Sequence, residues 1–342
     1  MYKLRVISFF SIFFLCIASL SPTAPALLSQ RGNTNSLASG SCDRPVPRKE
    51  WRALQPDEKK SYIDAVLCLQ GLPAALSSTI PGAVSRFDDF VGLHISQMEK
   101  VHLNGQFLPW HRYFTAVFED SLRIHCGYAG GQPYWDWTLD IKPGKAFADS
   151  PVFSPTDGFG GNGPYIPCAE QPYNLFCLTN GTGGGCVSDG PFKKAVLHLG
   201  PGRNIESNNH CLTRNFHPQF PARWLSEAEV NRTMAEGSYG RFWRHLEGMF
   251  EVERMGLHGA GHLGIGDPLF YLHHANLDRL WWKWQEQNPQ PRLKEVSGPV
   301  SQKQGAGNVT LSYVIDFGKI AGKVNIADVM HIKQKVLCYD YP

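Results

Sequence analysis

The stretch His258-Gly-Ala-Gly-His262, followed at once by Asp267-Pro-Leu-Phe-Tyr-Leu-His-His-Ala-Asn-Leu-Asp-Arg-Leu-Trp281, constrains this chain most. Histidines four apart on a helix share one face and can grip one metal together. Asp267-Pro268 predicts a new helix: Asp caps free N–H groups, and Pro fits a first turn where its missing N–H has no partner anyway. His274 falls about two turns into that helix. Gly264-Ile265-Gly266 lies within the ~2–8 residues usual between packed helices. An antiparallel return would carry His274 ~10 Å along its axis, level with His258. The pattern points to a helix bundle with a three-imidazole metal site and a position open for a small ligand.

A second set of histidines precedes it. Periodic Phe87, Phe90, Val91 and His94 predict a helix over residues 83–94. Asn104-Gly105 reads as a turn, and Pro109 as the start of a helix running to Arg123 that carries His111. His94 from one helix, His102 from a loop and His111 from the next helix make a second possible triad. His125, His198, His210, His217, His245 and His331 show no such pairing and read as ordinary polar residues. The Glu of an H-E-x-x-H zinc protease is missing. Imidazoles without thiolate or carboxylate suit copper, zinc, iron or nickel and do not choose among them.

Residues 1–26 read as a signal peptide: Lys3 and Arg5, a short apolar run, then Ala24-Pro25-Ala26. The apolar run is shorter than the ~20 residues of a membrane span. Residues 27–41 are rich in Ser, Asn, Gly and Ala and are expected to be disordered. Residues 42–342 are expected to form one domain. Pro56 opens a helix with Tyr62, Ala65, Val66 and Leu69 on its apolar face. Residues 143–221 are Gly- and Pro-rich loop, helices return near Ser226, and residues 309–314 and 335–339 look like strands. The expected fold is mainly α, with long disulfide-stiffened loops and small β elements.

After the leader, Cys42, Cys68, Cys126, Cys168, Cys177, Cys186, Cys211 and Cys338 form an even set, as in an oxidising compartment. About a hundred pairings of eight cysteines exist, so connectivity stays open. Asn180, Asn231 and Asn308 begin glycosylation triplets. A net charge of +3 without basic runs gives no footprint for nucleic acid.

Residues His102 to Arg123, Pro133-Tyr-Trp-Asp-Trp137, His258 to His262 and Asp267 to Trp281 together resemble the tyrosinase family of type-3 copper proteins, chiefly its short secreted fungal tyrosinases and catechol oxidases. Arg48-Lys-Glu-Trp-Arg52 and Cys338-Tyr-Asp-Tyr341 resemble the family's opening and closing motifs. The resemblance implies a four-helix bundle holding two copper ions that bind dioxygen. It implies His94, His102 and His111 on the first copper, and His258, His262 and His274 on the second. His273 is then a supporting neighbour, and Asp278 a carboxylate that orients an imidazole or pairs with Arg279. Phe270 becomes a pocket wall or a core residue.

The expected activity is oxidation of phenols or o-diphenols to o-quinones, on a small phenol or a peptide tyrosine, in pigment or secondary-metabolite chemistry. An oxygen carrier of the hemocyanin kind, or a pseudoenzyme with a poor second site, are the competing expectations. Three departures matter. The loop between His262 and Asp267 is short, so either the pocket is unusually open or a stretch of the sequence has been lost there. Lys100 stands where many relatives carry a cysteine cross-linked to histidine, so no thioether is expected. The chain stops after the tyrosine motif, so no lid domain or proteolytic activation is expected. Gly259 occupies a position where strong hydroxylases of the family carry Asn, which with an earlier glutamate is thought to hold a basic water. Glu251, with Glu247 and Glu253 as alternatives, is the candidate glutamate. Diphenol oxidation is therefore expected to exceed monophenol hydroxylation.

Overall fold

The computed structural model describes residues 42–171, 180–249, 254–264, 266–334 and 336–342. The expected leader, the segment 27–41, Cys177, Glu251 and Glu253 lie outside the described residues. Three long helices and one short one carry the histidines: α2 (Arg86–Val101), α3 (Phe107–Cys126), the six-residue α7 (Gly256–Gly261) and α8 (Leu269–Gln287). α1 (Pro56–Gly71) packs on α2 and α3, and α3 packs on α8. Three small helices, α4 (Phe220–Trp224), α5 (Glu227–Met234) and α6 (Tyr239–Glu247), lead into α7, against which α4 and α6 pack. The mainly helical bundle expected from the pattern is present.

Capping chemistry sets the boundaries. α2 starts three residues later than expected and runs seven residues past His94. Its start is fixed by a capping box: Ser85 Oγ accepts from the Asp88 N–H and Asp88 accepts from the Ser85 N–H, at 3.2 and 2.8 Å. α3 begins at Phe107, which leaves Pro109 in the first turn, and ends at Gly127 in the left-handed conformation. Asp267 caps α8 from outside, its carboxylate accepting the Leu269 N–H at 3.0 Å.

The β structure is smaller than expected. It consists of paired two-residue strands: β1 (Val46–Pro47) beside β6 (Tyr339–Asp340), β2 (Val196–Leu197) beside β3 (His210–Cys211), and β4 (Val314–Ile315) beside β5 (Val324–Asn325). The run over 309–314 is thus mostly irregular, and only its last residue belongs to a strand.

Disulfides join Cys42 to Cys338, Cys68 to Cys126 and Cys186 to Cys211, and Cys168 is also disulfide-bonded. The 186–211 bridge closes a span of 25 residues in the long middle loop, an entropic stabilisation of roughly 3 kcal/mol. Fully buried Arg214 adds a polar anchor there, holding the Asp267 carboxylate at 2.6 and 3.1 Å and the Phe159 and Gly161 carbonyls at 3.1 Å. The middle loop is in this way tied to the start of α8. No helix among the described residues is long and apolar enough to cross a membrane.

Candidate metal centre

The bundle brings all six expected histidines together as two triads. His94 lies midway along α2, His102 just past its end, and His111 in the second turn of α3. His258 lies in α7, His262 just past its end, and His274 in α8. Within each triad the candidate ligand atoms lie within 4.8 Å of one another. The triads face each other: the His111 and His274 rings stack with centroids 4.4 Å apart, and those of His102 and His258 are 5.6 Å apart. Five of the six are buried and His262 is partly exposed, so solvent reaches the pair from the His262 side.

These imidazoles are suited to a metal. Burial, followed by repulsion from neighbouring imidazoles, pushes His94, His111, His258 and His274 well below the ordinary histidine value. Burial likewise brings His102 down to about 3 and His262 to about 4. All six are therefore neutral near pH 7, with lone pairs available. In the first triad, His111 Nδ1–H donates to the Phe107 carbonyl at 2.8 Å and His102 Nδ1–H to the Met98 carbonyl at 3.1 Å. Those bonds put the proton of each ring on Nδ1 and make Nε2 the nitrogen that carries the lone pair. Both His274 nitrogens and His94 Nδ1 are buried without a hydrogen-bond partner. Buried polar atoms rarely stay unsatisfied, and a shared cation is the plain way to satisfy a cluster of lone pairs. His262 is different: its Nδ1 accepts the Gly264 N–H at 3.0 Å, which leaves the proton on Nε2.

Both ring nitrogens of His273 are hydrogen-bonded. Trp137 Nε1–H donates to its Nδ1 at 3.1 Å, and its Nε2–H donates to the His258 carbonyl at 3.0 Å. Gly261 makes room for it: a Cβ there would lie 2.4 Å from His273 Cε1. Phe270 forms a wall shared by the triads, with ring centroids 4.2 Å from His274 and 5.3 Å from both His94 and His262. Phe107, which the pattern did not single out, closes the cluster elsewhere, 4.8 Å from both His111 and His258.

The expected role of Asp278 is corrected. It touches neither an imidazole nor Arg279. Its carboxylate takes Arg112 Nε, Arg48 Nη1 at 3.3 Å, Tyr339 O–H at 2.5 Å and Tyr341 O–H at 2.7 Å. Arg48 also donates to Glu119 at 2.9 Å. Arg112 follows His111 and Asp278 lies one turn after His274, so this buried pair locks the two histidine helices together. Glu247 is buried, accepts the Leu103 N–H beside His102 at 2.8 Å, and keeps its other oxygen without a hydrogen-bond partner. Burial holds its carboxyl well above the usual range. Gly259 has open space, since a Cβ would meet only Met255 at 3.5 Å. Every described cysteine is disulfide-bonded, which leaves none of them for a thioether.

A helical bundle presenting two facing three-histidine sets is the architecture of a dinuclear metal protein. The family model for the common central domain of tyrosinase matches residues 84–287. Tyrosinase ustQ of Aspergillus flavus is 37% identical over 327 residues, covering 92% of this chain and 84% of that protein. N-acetyl-6-hydroxytryptophan oxidase ivoB of Emericella nidulans is 33% identical, covering 86% of this chain and 91% of that one. A polyphenol oxidase variant from Thermothelomyces thermophila superposes with a TM-score of 0.76 at 32% identity, covering 87% of this chain and 89% of that one. The chain belongs to the tyrosinase family, whose members are type-3 dinuclear copper proteins.

Proposed function

We propose that this protein is a dinuclear copper oxidase that uses dioxygen to convert o-diphenols to o-quinones. His94, His102 and His111 would hold one copper, and His258, His262 and His274 the other. The observation that carries the reading is the pair of facing, neutral imidazole triads. When bound, the two metals supply the redox capacity to reduce dioxygen. The chain supplies fixed imidazoles and an apolar wall, Phe270, against which a phenol ring can lie.

Diphenol is favoured over monophenol because hydroxylation needs the phenol deprotonated, and a phenol pKa near ~10 makes that costly at neutral pH. Gly259 has no side chain to hold a basic water. Burial shifts Glu247 toward its protonated form, which disfavours it as a base. Copper-loaded protein is expected to oxidise a catechol faster than it hydroxylates the matched phenol. Gly259→Asn, for which there is room, should raise the hydroxylase share. Equal initial rates on the two substrates in the wild type would refute this preference.

The similarity to an N-acetyl-6-hydroxytryptophan oxidase supports a phenolic substrate larger than free tyrosine. A peptide tyrosine or a fungal secondary-metabolite phenol is the substrate class proposed. The disulfides support a secreted protein, carrying sugars at Asn180, Asn231 and Asn308, all of which are exposed.

A further inference from the structure

We infer that a cationic groove beside the His102 loop is a subsite for carboxylates carried by a phenolic peptide substrate; this rests on the oxidase reading above and narrows its substrate class. The groove has a volume of about 510 Å³, within the ~300–1,000 Å³ of ligand pockets. One wall is Met98, Glu99 and Lys100 of α2. Arg203, from the connection between β2 and β3, and Gln302 and Lys303, from the segment after α8, form the rest.

Hydrogen bonds tie the groove to the metal centre. The Met98 carbonyl accepts the His102 Nδ1–H at 3.1 Å, and the Gln302 side-chain N–H donates to the His102 carbonyl at 3.1 Å. Leu103, the next residue, is partly exposed. The groove is thus the outer face of the loop that carries one proposed ligand of the first triad. A peptide spans ~7–14 Å in two to four extended residues, enough to set its ring at the triads and a side chain in the groove.

Charge gives the ligand class. Glu99 is paired with Arg203. Lys100 and Lys303 have no ion-pair partner among the described residues, so two ammonium groups remain to attract anions. A concave wall lined by one sign of charge focuses that field. Only Ile95 and Met98 are apolar, so a hydrophobic ligand would bury little there.

The test measures binding and turnover separately. For binding, fluorescent peptides carry a phenylalanine, which stands in for the phenol and is not oxidised, with two glutamates or two glutamines two to four residues away. Copper-loaded protein is expected to bind the glutamate peptide about 3- to 10-fold more tightly at low salt, as two exposed ion pairs supply. The advantage should vanish by about 0.5 M salt. Both lysines are exposed, so Lys100→Glu/Lys303→Glu leaves the core untouched. That double variant should instead favour a peptide with two lysines. With a 3,4-dihydroxyphenyl ring in place of phenylalanine, the wild-type preference should reappear in kcat/KM, carried by KM. Equal affinities in the wild type, or a glutamate preference that survives the double substitution, overturns the subsite. A binding preference that is absent from KM overturns its role in holding substrate. Loaded protein that oxidises neither these peptides nor a simple catechol overturns the oxidase reading, while the binding arm still judges the groove by itself.

Discussion

At the residue scale, His273 and His274 are adjacent, and the proposed function makes only His274 a ligand. Spacing favours His274, but the physical reason is that both His273 nitrogens are already bonded, while both of His274 are buried without a partner. His274→Ala should therefore cost one copper equivalent and nearly all turnover. His273→Ala leaves the six proposed ligands in place and should still load fully at saturating copper, with a weaker second step. Metal analysis of the two reconstituted variants checks this, and the reverse result would exchange their roles. His262 adds a second expectation. Its Nδ1 is taken by Gly264, while His102 and His111 already carry their protons on Nδ1, so copper should fill the first triad before the second. Isothermal titration would show two steps; a single step of two equivalent sites contradicts it.

The i,i+4 pair was legible because helix geometry alone puts His258 and His262 on one face. The role of Asp278 was not. Its partners Arg112, Arg48, Tyr339 and Tyr341 lie 166, 230, 61 and 63 residues away, beyond any local pattern.

At the element scale, what matters is how the histidine helices are held in register. Arg112 on α3 and Asp278 on α8 are both buried, and α3 carries His111 while α8 carries His274. Removing one partner leaves a buried guanidinium unpaired, which typically costs about 3–5 kcal/mol. Asp278→Ala should lower the unfolding free energy measured in urea by that order. A change below about 1 kcal/mol would mean that the network is dispensable. Helix existence was readable from apolar period, yet ends were not. α2 starts where the Ser85–Asp88 box forms and continues because Ile95 and Val101 still meet the core. The strand expected over 309–314 shrank because a β-rich run needs a partner along its length, and only Val314–Ile315 has one.

At the scale of the whole molecule, the chain closes on itself. Arg48 near the start and Tyr341 at the end meet on Asp278 of α8, and Cys42 is bonded to Cys338. Such closure joins residues far outside the central 84–287 segment to the helices that carry the site. The six neutral imidazoles also give the metal-free fold a pH dependence. Above about 6.5, folded and unfolded chains both hold these groups neutral, and their contribution to stability is full. As pH falls, the unfolded chain takes up protons that the fold refuses until about 4 for His262 and about 3 for His102. Apoprotein stability should therefore drop progressively between about pH 6.5 and 4, and bound copper should oppose the drop by requiring neutral imidazoles. Thermal melts of apo and copper-loaded protein across that range check it; an apoprotein whose stability is flat there contradicts it.

The central claim is that two triads each hold one copper. It is tested most directly by metal analysis of the purified protein, reconstituted with copper, freed of loosely bound metal, and assayed for o-quinone formation from a catechol. Two coppers per chain, with o-quinone formed only when both are present, is the predicted result. One copper or none in a folded chain, or two coppers without turnover, would contradict it.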